Sequence, residues 1–279
     1  MNEQKAFLAA LEFQKAAGVT ATLGSTPMDR FADSALKHAA VADKARPVFT
    51  PTPVKSAQGK ARAITQFEPG APLLGGAMAG LPHAQAAAQA AQSIPELIEA
   101  IEGFEHCELK KTARSTVVLD GNPAAQILLI GEGPGAQEDA QGLPFVGPAG
   151  ELLNRMLAAI GLDRQTHVLI SNSVFWRPLG NRTPNDGELA VCRPFIARLI
   201  ELNCPKIIVT LGAAATKSLL DVTGITRARG KWVMYKGEDG QEIPALPMLH
   251  PAYLLRMPTT KREAWVDLRT LRAKVEAAL

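Results

Sequence analysis

The stretch "QILLIGEGPGAQEDAQGLPFVGPAG", residues 126–150, decides how the chain is read. An apolar run of strand length gives way at Gly131 to six glycines and three carboxylates within twenty residues. Bare backbone lets a ligand approach closely, and acid beside it suggests chemistry rather than a plain turn.

Three further apolar runs follow: "HVLISN" ending at Asn172, "KIIVTLG" ending at Gly212 and "IPALPMLH" ending at His250. Helical patterns separate the first three. Leu152, Leu153, Met156, Leu157 and Ile160 form one apolar face; Leu189, Cys192, Phe195, Ile196 and Leu199 form the next. Strand alternating with helix predicts an α/β fold, a three-layer α/β/α sandwich around a four-stranded parallel sheet. A short helix at "AAATKSLLD", a hairpin around "GKWVMYKGEDGQEIP" and a closing helix at "KREAWVDLRTLRAKVEAAL" complete the expectation. Ligands of open parallel sheets bind beyond the carboxyl ends of the strands. Glu132, Asn172 and His250 are therefore expected to converge on one crevice.

Residues 93–279 are expected to form this domain, opened by "SIPELIEAIEG", where Ser93 and Glu96 have the spacing of a capping box and Gly103 supplies a stop. Residues 1–92 read as a helix near the start followed by an Ala/Pro/Gly-rich, partly disordered linker. "AQAAAQAAQS" offers too little apolar bulk to offset the entropy of ordering.

The net charge of +3 sits in the first 95 residues, which hold nine Lys/Arg against six Asp/Glu; the remainder is balanced at 21 of each. Any attraction to nucleic acid must then come from a local cluster. The chain shows no apolar run of about 18 residues and no basic leader with an apolar stretch, so no membrane contact and a cytoplasmic location are expected. Three cysteines, Cys107, Cys192 and Cys204, lack the paired spacing of a zinc site.

Three ligand readings compete for the glycine-rich stretch. Gly131, Gly133 and Ala136 fit a dinucleotide-binding turn, but Pro134 interrupts it and Glu132 would oppose a pyrophosphate. A phosphate loop is excluded because no G-K-[ST] follows. A metal site at Glu132, Glu138 and Asp139 lacks a second acidic cluster, and the latter pair also suits the start of a solvated helix. The remaining reading is a flat ligand and a sugar lying on the glycines, with Glu132 as the nearest charge.

The blocks "GEGPGAQEDAQGLPFVGPAGELLNRML", "NSVFWRPLGNRTP", "IVTLGAAA", "TRARGKW" and "HPAYLLR" occur in the order found in the uracil-DNA glycosylase superfamily. From about Phe104 to the C terminus the chain is most similar to family 4 of that superfamily. The resemblance implies base flipping into a pocket, with Gly131 and Gly133 letting uracil approach and Phe145 as a stacking floor. Asn172 would pair with uracil O4 and N3–H, a pattern cytosine reverses. His250 would donate to uracil O2 as charge develops on the leaving base, Glu132 would face the sugar or hold water, and Asn181 would orient that water. Leu254 or Leu255 would wedge into the vacated gap, with Arg256 on phosphate, and Arg227 and Arg229 would grip the backbone. Read without the resemblance, Phe145 is equally core, Asn172 a strand-end cap and His250 structural.

The resemblance also implies an iron–sulfur cluster on four cysteines, and here the sequence departs from it. Phe104 stands at the first ligand position, Cys107 at the second, Trp176 at the third and Cys192 at the fourth. Two thiolates do not hold such a cluster in the usual way. The expectation is a monomeric, nucleoid-associated repair glycosylase without cofactor or metal, acting on uracil-containing DNA and releasing free uracil. A non-catalytic uracil-DNA binder, or a glycosylase for another deaminated base such as hypoxanthine, stays open.

Overall fold

The structure, a computed structural model, describes residues 79–278. The expected helix near the start and the linker sequence up to residue 78 lie outside the described residues. Four strands form the parallel centre: β2 (Ile127–Gly131), β3 (Val168–Asn172), β4 (Ile207–Leu211) and β6 (Glu242–Met248). Every residue of β2, β3 and β4 is buried. That burial on both faces is why these strands are legible as unbroken apolar runs.

The sheet has six strands rather than the expected four, in the order β1-β3-β2-β4-β6-β5. The additional two are antiparallel edges, β1 (Leu119–Gly121) on β3 and β5 (Val233–Lys236) on β6. The β5–β6 pair is the hairpin expected around Gly230–Pro244. β1 has three residues, two of them Asp120 and Gly121, and carries no apolar signature that could have announced it.

Alternating side chains send Leu128 and Ile130 to one face of the sheet and Ile127 and Leu129 to the other. The first face packs on helices Leu81–Ala90, Ile94–Glu102, Asp186–Asn203 and Ala213–Leu220. Helices Pro148–Ala158, Pro251–Arg256 and Lys261–Ala278 cover the second. The three-layer arrangement is thus as expected.

Ser93 caps the Ile94–Glu102 helix through the Glu96 backbone N–H, and Glu96 returns the contact to the Ser93 hydroxyl at 3.0 Å. The alanine-rich stretch before it departs from the expected linker. Leu81–Ala90 is a helix whose Ala84 and Ala88, one turn apart, are buried in the core shared with the Asp186–Asn203 helix. Small side chains bury little area, but they permit close approach to a surface that already exists, and alanine loses least on entering a helix. Arg198 Nε donates to the Ala91 carbonyl at 2.9 Å and fixes the end of this helix. Among the described residues no helix is long and apolar enough to cross a membrane.

Candidate active site

Register sets the site. Gly131 and Asn172, the last residues of β2 and β3, are direct partners in the parallel ladder, and His250 lies two residues beyond β6. A pocket of about 390 Å³ opens over these strand ends, and Glu132, Gly133, Phe145, Asn172, Asn181, His250 and Arg256 all line it. Gly131 lies beneath: a Cβ there would stand 2.4 Å from Asn172 Oδ1 and 2.6 Å from the Phe145 ring. Only glycine fits this position.

Asn172 is 1 % exposed, and its Nδ2 finds no protein acceptor. A buried amide donor without a partner is costly, so its presence at a pocket floor points to a ligand acceptor. Beside it, the rings of Phe145 and His250 lie 5.5 Å apart at 28°.

Phe145 holds a left-handed backbone, φ +53°, unusual for a bulky residue. One buried and one half-buried charge hold it. Arg164 Nη1 donates to the Phe145 carbonyl at 2.8 Å, Nη2 donates to the Pro144 carbonyl, and Nε pairs with Asp120 on the edge strand β1. The Glu138 carboxylate accepts from the N–H groups of Val146 (3.1 Å), Gly147 (2.9 Å) and Gly135 (3.1 Å), clamping both loops from the other side. Gly150 completes the fit, because a Cβ there would fall 1.8 Å from the Phe145 oxygen. Neither Arg164 nor this use of Glu138 was read from sequence. Glu138 and Asp139 do open a helix, but the acids themselves are not solvated: Asp139 is 7 % exposed and accepts from the backbone N–H groups of Arg114 (2.8 Å) and Ser115 (3.1 Å).

His250 Nδ1 accepts from the Ala252 N–H at 3.1 Å and caps the Pro251–Arg256 helix. In the neutral ring the proton therefore sits on Nε2. Burial, reinforced by the Arg256 charge and opposed by Glu138, lowers the pKa of His250 to about 4, so the imidazole is neutral at pH 7. Glu132 moves the other way. Burial raises its pKa above the usual carboxylate range, opposed by a hydrogen bond from Thr183 and by the Arg256 charge. Asn181, also left-handed at φ +55°, is held by Arg177 Nε donating to its Oδ1 at 2.7 Å.

Two of the expected DNA contacts need correction. Leu254 is 1 % exposed and belongs to the core, whereas Leu255 on the same helix is 42 % exposed. Helix phase decides between two adjacent leucines, and only the second can reach outward. Arg229 is not free for a phosphate: it pairs with the buried Asp267 through Nε at 2.9 Å and Nη2 at 2.6 Å. Arg227 is exposed, and Arg256 is exposed at the pocket.

The four positions that the resemblance assigns to cluster ligands, Phe104, Cys107, Trp176 and Cys192, do meet in one buried core. They do not fit an iron–sulfur cluster, since they offer two thiols and two large apolar side chains. Phe104 instead packs edge-on against Phe195 (5.1 Å between centroids) and lies 6.3 Å from the Trp176 ring, whose Nε1 donates to Thr116 at 3.0 Å. Hydrogen bonding to Cys107 and burial push the Cys192 thiol well above its ordinary range, the state of an inert core sulfur. Among the described residues no three His, Cys, Asp or Glu side chains gather to hold a metal ion.

Residues 119–269, which carry every element of this pocket, match the family described as the Uracil DNA glycosylase superfamily. This chain belongs to the uracil-DNA glycosylase superfamily. The type-4 uracil-DNA glycosylase of Sulfurisphaera tokodaii is 38 % identical over 186 residues, covering 64 % of this chain and 84 % of that one. Its counterpart in Archaeoglobus fulgidus is 36 % identical over 64 % of this chain and 92 % of its own. That of Thermotoga maritima is 40 % identical over 57 % of this chain and 81 % of its own. The site sits at the carboxyl ends of the parallel strands, where the sheet topology places it.

Proposed function

We propose that this chain is a DNA repair enzyme that hydrolyses the N-glycosidic bond of uracil in DNA, leaving an abasic site and free uracil, and that it does so with its own side chains alone. The observation that carries the reading is the unpartnered Asn172 Nδ2, buried at the floor of a pocket walled by an aromatic ring. The extruded base stacks on Phe145 while Asn172 Nδ2 donates to O4 and Oδ1 accepts from N3–H. Cytosine presents a donor and an acceptor in the reverse order and leaves both bonds unmade.

As the C1′–N1 bond breaks, its electron pair passes to the base and negative charge gathers on O2. His250, neutral with its proton on Nε2, donates to that oxygen without bringing a full charge into the pocket. Glu132 faces the sugar cation and takes the proton of the attacking water, whose oxygen bonds to C1′; a raised pKa makes its carboxylate a better base. Asn181, fixed by Arg177, orients that water. Leu255 fills the gap left in the stack, with Arg256 and Arg227 on phosphate. The enzyme acts as a monomer on nucleoid DNA.

The test is incubation with a labelled duplex holding one uracil, beside cytosine, thymine and hypoxanthine controls, followed by alkali. Strand cleavage confined to uracil is expected. Retarded but uncleaved uracil DNA would sink the enzymatic reading, and cleavage at hypoxanthine in place of uracil would reassign the substrate.

A further inference from the structure

We propose that Leu179 is a second apolar wedge on the DNA face, pressing on the duplex beside the extruded nucleotide while Leu255 fills the gap. The inference rests on the glycosylase reading above and adds to it a residue that makes duplex DNA, rather than the base alone, the object recognised.

A single exposed leucine is ordinary on a protein surface. Leu179 is exposed in an unusual setting. At 74 % it is the most exposed large apolar side chain among the described residues, ahead of Val266 at 55 %. It stands between Pro178 and Asn181, both of which line the pocket. Two more of these exposed side chains, Leu255 and Met257, flank the pocket-lining Arg256. Two segments of the pocket rim thus each carry solvent-facing apolar groups, which is how interaction surfaces differ from scattered surface leucines.

The turn that presents Leu179 is stiff. Gly180 and Asn181 are both left-handed, at φ +69° and +55°. The Asn181 N–H donates to the Pro178 carbonyl at 3.0 Å, and the Arg177 guanidinium holds the Asn181 side chain at 2.7 Å. Arg182, on the far side, is fastened to Glu188 by bonds of 2.8 and 2.6 Å. The side chain between these anchors is left largely uncovered by the described residues, so most of its apolar surface gains only when a partner covers it. Arg256, exposed at the same opening, favours a polyanion as that partner.

Extruding a nucleotide from a duplex sacrifices stacking on both neighbours, and apolar side chains inserted at the step offset that loss. Leu255 on one rim segment can occupy the vacancy. Leu179 on another is placed to bear on an adjoining base or sugar and keep the opened step from closing. A single strand has no opposing stack to hold apart, so the contribution belongs to duplex substrate.

The experiment compares full-length wild type, Leu179→Ala and Leu179→Phe in single-turnover excision of uracil from duplex and single-stranded oligonucleotides. A 2-aminopurine placed next to the uracil reports local unstacking in parallel. Leu179→Ala is expected to slow duplex excision about tenfold, the scale of one lost wedge contact, with the single-strand rate changed less than about twofold. The 2-aminopurine signal falls with it, Leu179→Phe restores both, and thermal stability is unchanged. Equal loss on both substrates, or no loss on duplex, overturns the proposal. Wild type that releases no uracil from either substrate would instead remove the glycosylase reading. The 2-aminopurine signal would then decide the wedge by itself, an equal response in wild type and Leu179→Ala overturning it.

Discussion

Arg164 Nη1 donates to the carbonyl oxygen of Phe145 at 2.8 Å, so a buried cation governs the backbone of the residue that floors the pocket. The guanidinium has three tasks at once, on Phe145, Pro144 and Asp120. Arg164→Gln removes two of them and releases the strained φ of Phe145. A misplacement of about 1 Å at a reacting group can lower rate by about 100-fold. We expect uracil excision to fall by about 10- to 100-fold, with weaker inhibition by free uracil, because stacking on the ring is what is lost. Arg164→Lys keeps the charge without the fork and restores less than half of the loss. Unchanged inhibition by free uracil in a folded variant would show that Arg164 serves stability alone.

His250 has a pH signature. Its pKa is about 4 in the folded chain against 6.5 when solvated. Between these values the unfolded state binds more protons, so stability rises with pH across that window and is lost as pH falls toward 4. Thermal unfolding followed from pH 4 to 7 in wild type and His250→Ala checks this, with a shallower slope expected in the variant. An imidazole resonance of His250 that titrates near its solvated value would contradict it.

The two arginines of the "TRARG" segment separate cleanly. Arg229→Met strands Asp267, which is fully buried, and removing one partner of a buried pair costs about 3–5 kcal/mol. Burial already raises the pKa of Asp267 to about 6 despite Arg229, so protonation relieves part of that cost and the lower figure applies. The salt dependence of DNA binding stays as it was. Arg227→Ala and Arg256→Ala leave the melting temperature in place and each reduce the slope of log affinity against log salt by about one. Titration in increasing potassium chloride distinguishes the pairs.

Aromatic packing stands where the resemblance would place cluster ligands. Phe104→Ala is expected to cost about 3–5 kcal/mol, the usual loss for a buried phenylalanine. Iron analysis of wild type should give a substoichiometric value, and a chelator should leave both melting temperature and excision unchanged. Stoichiometric iron, or melting on chelation, would overturn this reading of the core.

What the sequence made legible follows from what physics writes locally. The fully buried β2 and β3 show as apolar runs, as does β6 in its buried second half, so their ends, and with them Glu132, Asn172 and His250, could be placed together. The Leu81–Ala90 helix was missed because alanine carries a signal only once a partner surface is known. Arg164 was hidden for a related reason: "GLDRQTH" reads as a polar turn, and nothing nearby in sequence reveals that its guanidinium reaches back to Pro144 and Phe145. Leu254 and Arg229 were misjudged because facing is fixed by helix phase and by a carboxylate 38 residues away.

The meeting of Phe104, Trp176 and Phe195 has a consequence for the circumstances in which the fold can operate. Aromatic side chains arrive with the chain and need no separate supply. A joint made of them waits for no metal-delivery pathway, because all of its atoms belong to the chain. On the cluster-free reading proposed above, this layer of the core folds from the chain alone, and its assembly is expected to be indifferent to iron supply.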